Sequence, residues 1–191
     1  MWFKFIQSET KENYLEGLNF LLQKGFEILS VTIDGRRGIA QLFNKYPVQV
    51  CQFHVQKGIL NRTTLNPKTE CGKRLKYIAT HFICDRWTKE KFTTEIQNIL
   101  QEFNSFLTEK NENNQYVHRR LRSALFGIKL ALPYLFTYQY FPKLKIANTT
   151  NHIDGGVNPK LKELNRQHRG MRVDRRNKLL VKLLSDLGRN R

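Results

Sequence analysis

An α/β fold with a largely helical second half is what this sequence predicts, on three observations. Short β-branched, apolar runs alternate with helical apolar spacing as far as residue 57, an order β-α-β-α-β that favours parallel strands. Beyond Lys57 the apolar residues recur at helical spacing, with no good strand runs. The 191 residues are 40% hydrophobic and include 13 Phe and 7 Tyr, enough for one domain carrying an insertion to bury a core.

The elements follow in order. Trp2-Phe3-Lys4-Phe5-Ile6 reads as a strand, aromatic and alternating. A helix starts after Ser8, buries Tyr14, Leu15, Leu18, Leu21 and Leu22, and stops at Gly25. Phe26 to Ile33 reads as a strand ending abruptly at Asp34-Gly35, Arg36 to Asn44 as a short helix, and Pro47 to Phe53 as a further strand. Helical blocks then carry Leu75, Ile78 and Ala79, and Phe92, Ile96, Ile99, Leu100, Phe103, Phe106 and Leu107. After the polar loop Lys110–Gln115, a third block from Tyr116 to about Tyr140 is broken or kinked at Pro133. A basic helical segment runs from about His152 to Gln167, Arg169-Gly170 ends it, and Asp174–Leu187 forms a last amphipathic helix. These readings place boundaries at 1–57, 58–145 and 146–191.

Charge narrows the partner. Lys and Arg total 33 against 16 Asp and Glu, a net charge of +17. Residues 160–191 hold eleven of those cations and three acids, Glu163, Asp174 and Asp186. A solvated helical face is the bland account of such a stretch, but a strong single-sign field usually has a polyanionic partner, nucleic acid first. No run of about 18 apolar residues is present, so a spanning helix is not expected and neither is a membrane partner. The opening Met1–Glu12 lacks the pattern of a secretory signal, and three Cys point to a reducing compartment rather than a disulfide framework.

Three motifs carry chemistry. Asp34, at the carboxyl end of an apolar strand and followed by Gly35, lies where open α/β sheets place ligands, although Asp-Gly is also ordinary turn chemistry. Cys51-x2-His54 and His81-x2-Cys84 have half-site spacing for zinc, against the commoner reading of small buried thiols and satisfied histidines in apolar stretches. Asp154 sits between Thr149-Thr150-Asn151-His152 and Gly155-Gly156, at the head of a basic helix, where a plain loop acid is the default.

Val31 to Gly38, Pro47 to His54, and Thr149 to Gly156 continuing to Met171 together resemble, in order along the chain, the bacterial insertion-sequence transposases related to the Mutator elements. The resemblance implies a ribonuclease-H-like core with an all-α insertion, in which three acids hold two Mg2+ or Mn2+ ions for DNA cleavage and strand transfer. Asp34 matches the second acid, Asp154 the third, and Cys51 and His54 the family's Cys-x2-His support. Asp34 and Asp154 are then the catalytic and metal-holding pair. Arg36, Arg37, Lys160, Lys162, Arg166, Arg169, Arg172, Arg175 and Arg176 are the expected DNA contacts. DNA and other transposase chains are the implied partners, in a bacterial cytoplasm.

The sequence departs from the family in two ways. The third acid is Asp where the family has Glu, and no Asp or Glu precedes Glu9 to serve as the first. On this reading the chain begins at the third strand of a 3-2-1-4-5 sheet, an N-terminally truncated catalytic region expected to be inactive alone. The alternatives are a non-catalytic DNA-binding remnant and a zinc-stabilised nucleic-acid-binding module built on Cys51, His54, His81 and Cys84.

Overall fold

A computed structural model of the chain describes residues 3–36, 38–150 and 152–189, with the side chains of 152–154, 188 and 189 outside that description. The fold is mixed α/β and mostly helical, with one small parallel sheet of two strands. The chain forms two compact units, residues 29–149 and residues 1–28 with 150–191.

The larger unit is built around the sheet. β1 (Val31–Ile33) pairs with β2 (Val48–Val50) in the register Val31↔Val48, Thr32↔Gln49, Ile33↔Val50. The strands are shorter than the apolar runs predict because the ladder opens where Val31 N–H donates to the carbonyl of Pro47, and residues 26–30 pair with no described strand. Between them the expected helix over 36–44 contracts to a 3-10 turn, Ala40–Phe43, with Phe43 buried. β2 also ends sooner than its apolar run. Cys51 closes the strand and Gln52 opens α2 (Gln52–Thr63), so Phe53 and His54 ride on a helix.

The remaining helices of this unit are α3 (Glu70–Cys84), α4 (Lys89–Glu102), α5 (Asn104–Thr108), α6 (Arg119–Leu135) and α7 (Thr137–Tyr140). The expected boundary at 57/58 falls inside α2, which packs on both α3 and α6. Thr69 caps α3 by accepting from Gly72 N–H at 3.2 Å, and Thr88 caps α4 through Lys91 N–H at 3.2 Å. Leu75, Ile78 and Ala79 of α3 and Phe92, Ile96 and Ile99 of α4 recur at helical spacing and are buried, as that spacing predicts, and Phe82 of α3 joins them. Phe92 sits between Phe82 and Phe136, with ring centroids 5.1 and 5.4 Å away.

Pro133 does not break its helix. It lies two residues from the end of α6, where one missing N–H costs only the last turn. Buried Gln49 of β2 donates to the terminal carbonyl of Leu135 at 2.7 Å and accepts from Tyr138 N–H at 3.0 Å, and Gln52 donates to the same carbonyl at 3.3 Å. Thr137 donates to the carbonyl of Val48 at 2.6 Å. These side chains satisfy the end of α6 where water cannot reach it.

In the smaller unit the expected strand at Trp2 does not form over its described residues. Phe3–Ile6 has no regular structure, and Phe5 and Ile6 are exposed. With no neighbouring strand to pair, the aromatic alternation buries nothing. Helix α1 (Lys11–Gln23) starts after Thr10 rather than after Ser8. Its end is a Schellman turn: Gly25 adopts φ +80° and donates to Leu22, while Phe26 N–H donates to Leu21. Glu12, in the first turn, has its carboxyl held below the usual range by its own backbone amide and the Thr10 hydroxyl. A π-helical turn over His152–Val157 leads into α8 (Asn158–Gln167), and α9 (Val173–Arg189) buries Leu180 and Leu184. Among the described residues no helix is long and apolar enough to cross a membrane.

Candidate functional site

The carboxyl end of the sheet gathers two of the predicted site residues. Ile33 is buried and its carbonyl accepts from Cys51 N–H at 2.7 Å, so Asp34 emerges directly beyond the last rung. The exposed Asp34 carboxylate accepts from Arg36 N–H at 3.1 Å, which folds the chain back. Gly35 is required there: it adopts φ +90°, and a Cβ would lie 3.1 Å from Val50. Opposite, Cys51 is fully buried at the start of α2, and His54 stands in that helix's first turn.

Asp34, Gly35, His54 and Arg62 line one cleft of about 180 Å³, walled by Ala124, Ile128 and Ala131 of α6. The segment that leads towards Asp154 runs across this same strand end. Ala147 accepts from the Thr32 hydroxyl at 2.9 Å, and the Asn148 carbonyl accepts from Gln52 N–H at 2.9 Å. The Asn148 amide also donates to Gln52 Oε1 at 3.1 Å. Asp154 itself belongs to the other unit, and its side chain lies outside the described residues.

A two-metal centre needs carboxylates that share its ions. The cleft presents one described carboxylate, Asp34, and among the described residues no three His, Cys, Asp or Glu side chains converge. The described donors therefore do not fit a metal pair. The same observation corrects the zinc module, because Cys51, His54, His81 and Cys84 do not assemble. His81 stacks on Tyr77 with centroids 4.0 Å apart, and its Nδ1 is shared between the Tyr77 carbonyl and the Thr80 hydroxyl. Cys84 is exposed at the end of α3.

The cysteines yield a direct check. Burial pushes the Cys71 thiol up to about 11, and Cys51 is equally enclosed. Iodoacetamide at about pH 8 should therefore alkylate Cys84 alone in the folded chain, and all three thiols in denaturant. Rapid native labelling of Cys71, read by peptide mass, would contradict this packing. The raised thiol also sets a sign: its contribution to stability is complete below the ordinary value near 9 and is lost as pH rises through about 11.

The predicted DNA contacts fall mostly on the smaller unit. Lys160, Lys162, Arg166, Arg169, Arg172 and Arg175 are exposed, and Arg176 is half-buried. Arg166 is held by Glu163 at 2.8 Å, and Arg172 lies 3.9 Å from Asp174. Arg175, Lys178 and Lys182 follow one another at i, i+3 and i+7 along α9, opposite its leucines, and form an exposed stripe. In the larger unit Arg36 is exposed next to Asp34, and Arg37 lies outside the described residues.

A second basic group escapes motif reading. Lys68, Arg119 and Arg120 share a cleft with Arg62, and the signal in the sequence is the run Arg119-Arg120-Leu121-Arg122 after a polar loop. Compared with known proteins, the chain matches no family model, no curated protein and no solved structure.

Proposed function

We propose that the chain is a DNA-binding piece of a transposase catalytic region of the Mutator-related, ribonuclease-H-like kind, a region that cuts DNA and transfers strands when its acid set is complete. One observation carries the reading. Asp34 leaves the end of β1 into the same cleft that receives His54 of the Cys-x2-His segment, and the chain leading to Asp154 is hydrogen-bonded across that strand end. Open α/β sheets place ligands at this end of their strands. The exposed cations of α8 and α9 supply what a phosphate backbone needs.

A non-catalytic DNA-binding role is favoured for the chain on its own, because the cleft offers a single described carboxylate. The Mg2+ or Mn2+ of the family reading would have Asp34 as its one described ligand here. The expected result is therefore retention of duplex DNA without cleavage. The test incubates a supercoiled plasmid and end-labelled duplex with either cation and wild type, Asp34→Ala or Asp154→Ala. Cleavage by wild type that both substitutions abolish would overturn the inactive reading. Failure to bind duplex at low salt would overturn the DNA reading altogether.

A further inference from the structure

We infer that the larger unit carries a phosphate-binding cleft of its own, where the first turns of α3 and α6 meet. Its walls enclose about 570 Å³, and Arg62, Lys68, Arg119 and Arg120 contribute to them without any acid among the lining residues. Gly72 of α3 and Leu121 of α6 both line it, and a Cβ added to Gly72 would come within 3.8 Å of Leu121. Glu70, in the first turn of α3, is engaged by Lys73 at 2.6 Å, and Glu109, just after α5, is engaged by His118 at 3.0 Å.

The start of α6 is built against ordinary helix electrostatics. Helix N-termini favour acids and disfavour cations, because the unsatisfied N–H groups already carry partial positive charge. α6 has no acid in its first turn, opens on two consecutive arginines, and receives no capping hydrogen bond from the side chain of His118. Arg120 is aimed by a 2.6 Å bond to the carbonyl of Asn61, and Arg119 by one to Gln115. Arg62 is pinned through Nε to Ser123 and through Nη1 to the Gly58 carbonyl, so its position is fixed before any ligand arrives. Such a cluster repels itself until an anion enters, and an oxyanion can take charge-assisted bonds from several guanidinium and amide donors at once.

The ligand class is a phosphate-bearing molecule, with two sources for the same chemistry: a free phosphorylated compound or the backbone of a nucleic acid. The cleft lies wholly in the larger unit and needs nothing from α8 or α9, so the inference does not rest on the proposed DNA reading.

The test titrates the isotope-labelled full chain, followed by amide NMR, with inorganic phosphate, pyrophosphate and a short single-stranded oligonucleotide. Amides of residues 70–72 and 119–121 should shift saturably. The pyrophosphate midpoint should rise at least about tenfold in Arg119→Gln/Arg120→Gln, as expected when two charge-assisted contacts are lost. Lys68→Gln, on a loop, should weaken binding in the same direction and does not touch helix α6. Pyrophosphate binding tighter than the oligonucleotide identifies a free ligand, and the reverse order with steep salt dependence identifies a backbone. Lys178→Gln/Lys182→Gln should leave the pyrophosphate response intact while weakening duplex binding, which separates this cleft from the surface of α9. No saturable shift at these amides with any probe, or an unchanged midpoint in both cleft variants, would overturn the inference.

Discussion

Duplex DNA should leave the chain when Lys160, Lys162, Arg175, Lys178 and Lys182 are replaced together by Gln. All five are exposed, and among the described residues none has an acid within ion-pair distance. Each phosphate neutralised contributes ~0.9 to the slope of log affinity against log salt, so five contacts make wild-type binding fall on the order of 10²–10³-fold between about 50 and about 200 mM salt. The five-fold variant should lose most of that slope as well as the affinity. Removing a purely structural feature would weaken binding without flattening its salt dependence. Fluorescence anisotropy with a labelled duplex at several salt concentrations measures both quantities. Wild-type affinity unchanged up to about 300 mM salt would sink the electrostatic account.

Phe92→Ala should be the most damaging single truncation in the larger unit. Phe92 is fully buried, and its ring is in contact distance of Phe82 and Phe136. Removing it takes the ring from two neighbouring segments at once, since Phe82 lies on α3 and Phe136 follows α6. Buried Phe→Ala changes cost about 3–5 kcal/mol, a large part of the 5–15 kcal/mol that holds a typical domain folded. For a chain of this size that corresponds to a fall in Tm of roughly 10 °C. Leu65→Ala is the control: Leu65 is 84% exposed, and its loss should stay within about 0.5 kcal/mol. Calorimetry of the two variants decides the point, and a change below about 1 kcal/mol for Phe92→Ala would mean the aromatic cluster is not the core.

The helical half of the fold is legible in the sequence because burial there is periodic. Leu75, Ile78 and Ala79 announce one face of α3, and Phe92, Ile96 and Ile99 one face of α4. Gly25 is legible as a stop for the same local reason, a position that needs positive φ. The strands are less so, since a strand exists only where a partner lies beside it. Trp2–Ile6 and Phe26–Ser30 have the composition of strands, yet over the described residues they have no neighbour to pair with. At the site, Asp34 is readable from its place at a strand end, whereas its meeting with His54 is expected only through the family resemblance, because it depends on how α2 turns out of β2. The basic cleft at Arg119 and Arg120 carries no motif at all. It arises from the starts of α3 and α6, far apart in sequence, which line one cleft.

Gln49 has a consequence for local motion. Three-residue strands in a two-stranded sheet would fray readily by themselves, and β2 would be expected to exchange its amide protons fast. Its buried amide instead spans the end of α6 and the start of α7, so β2 cannot open until Leu135 and Tyr138 lose their partners too. Strand and helix end thus share a single opening equilibrium. The same helix α6 walls the Asp34 cleft, so the opening of β2 is tied to the element that bounds the candidate site.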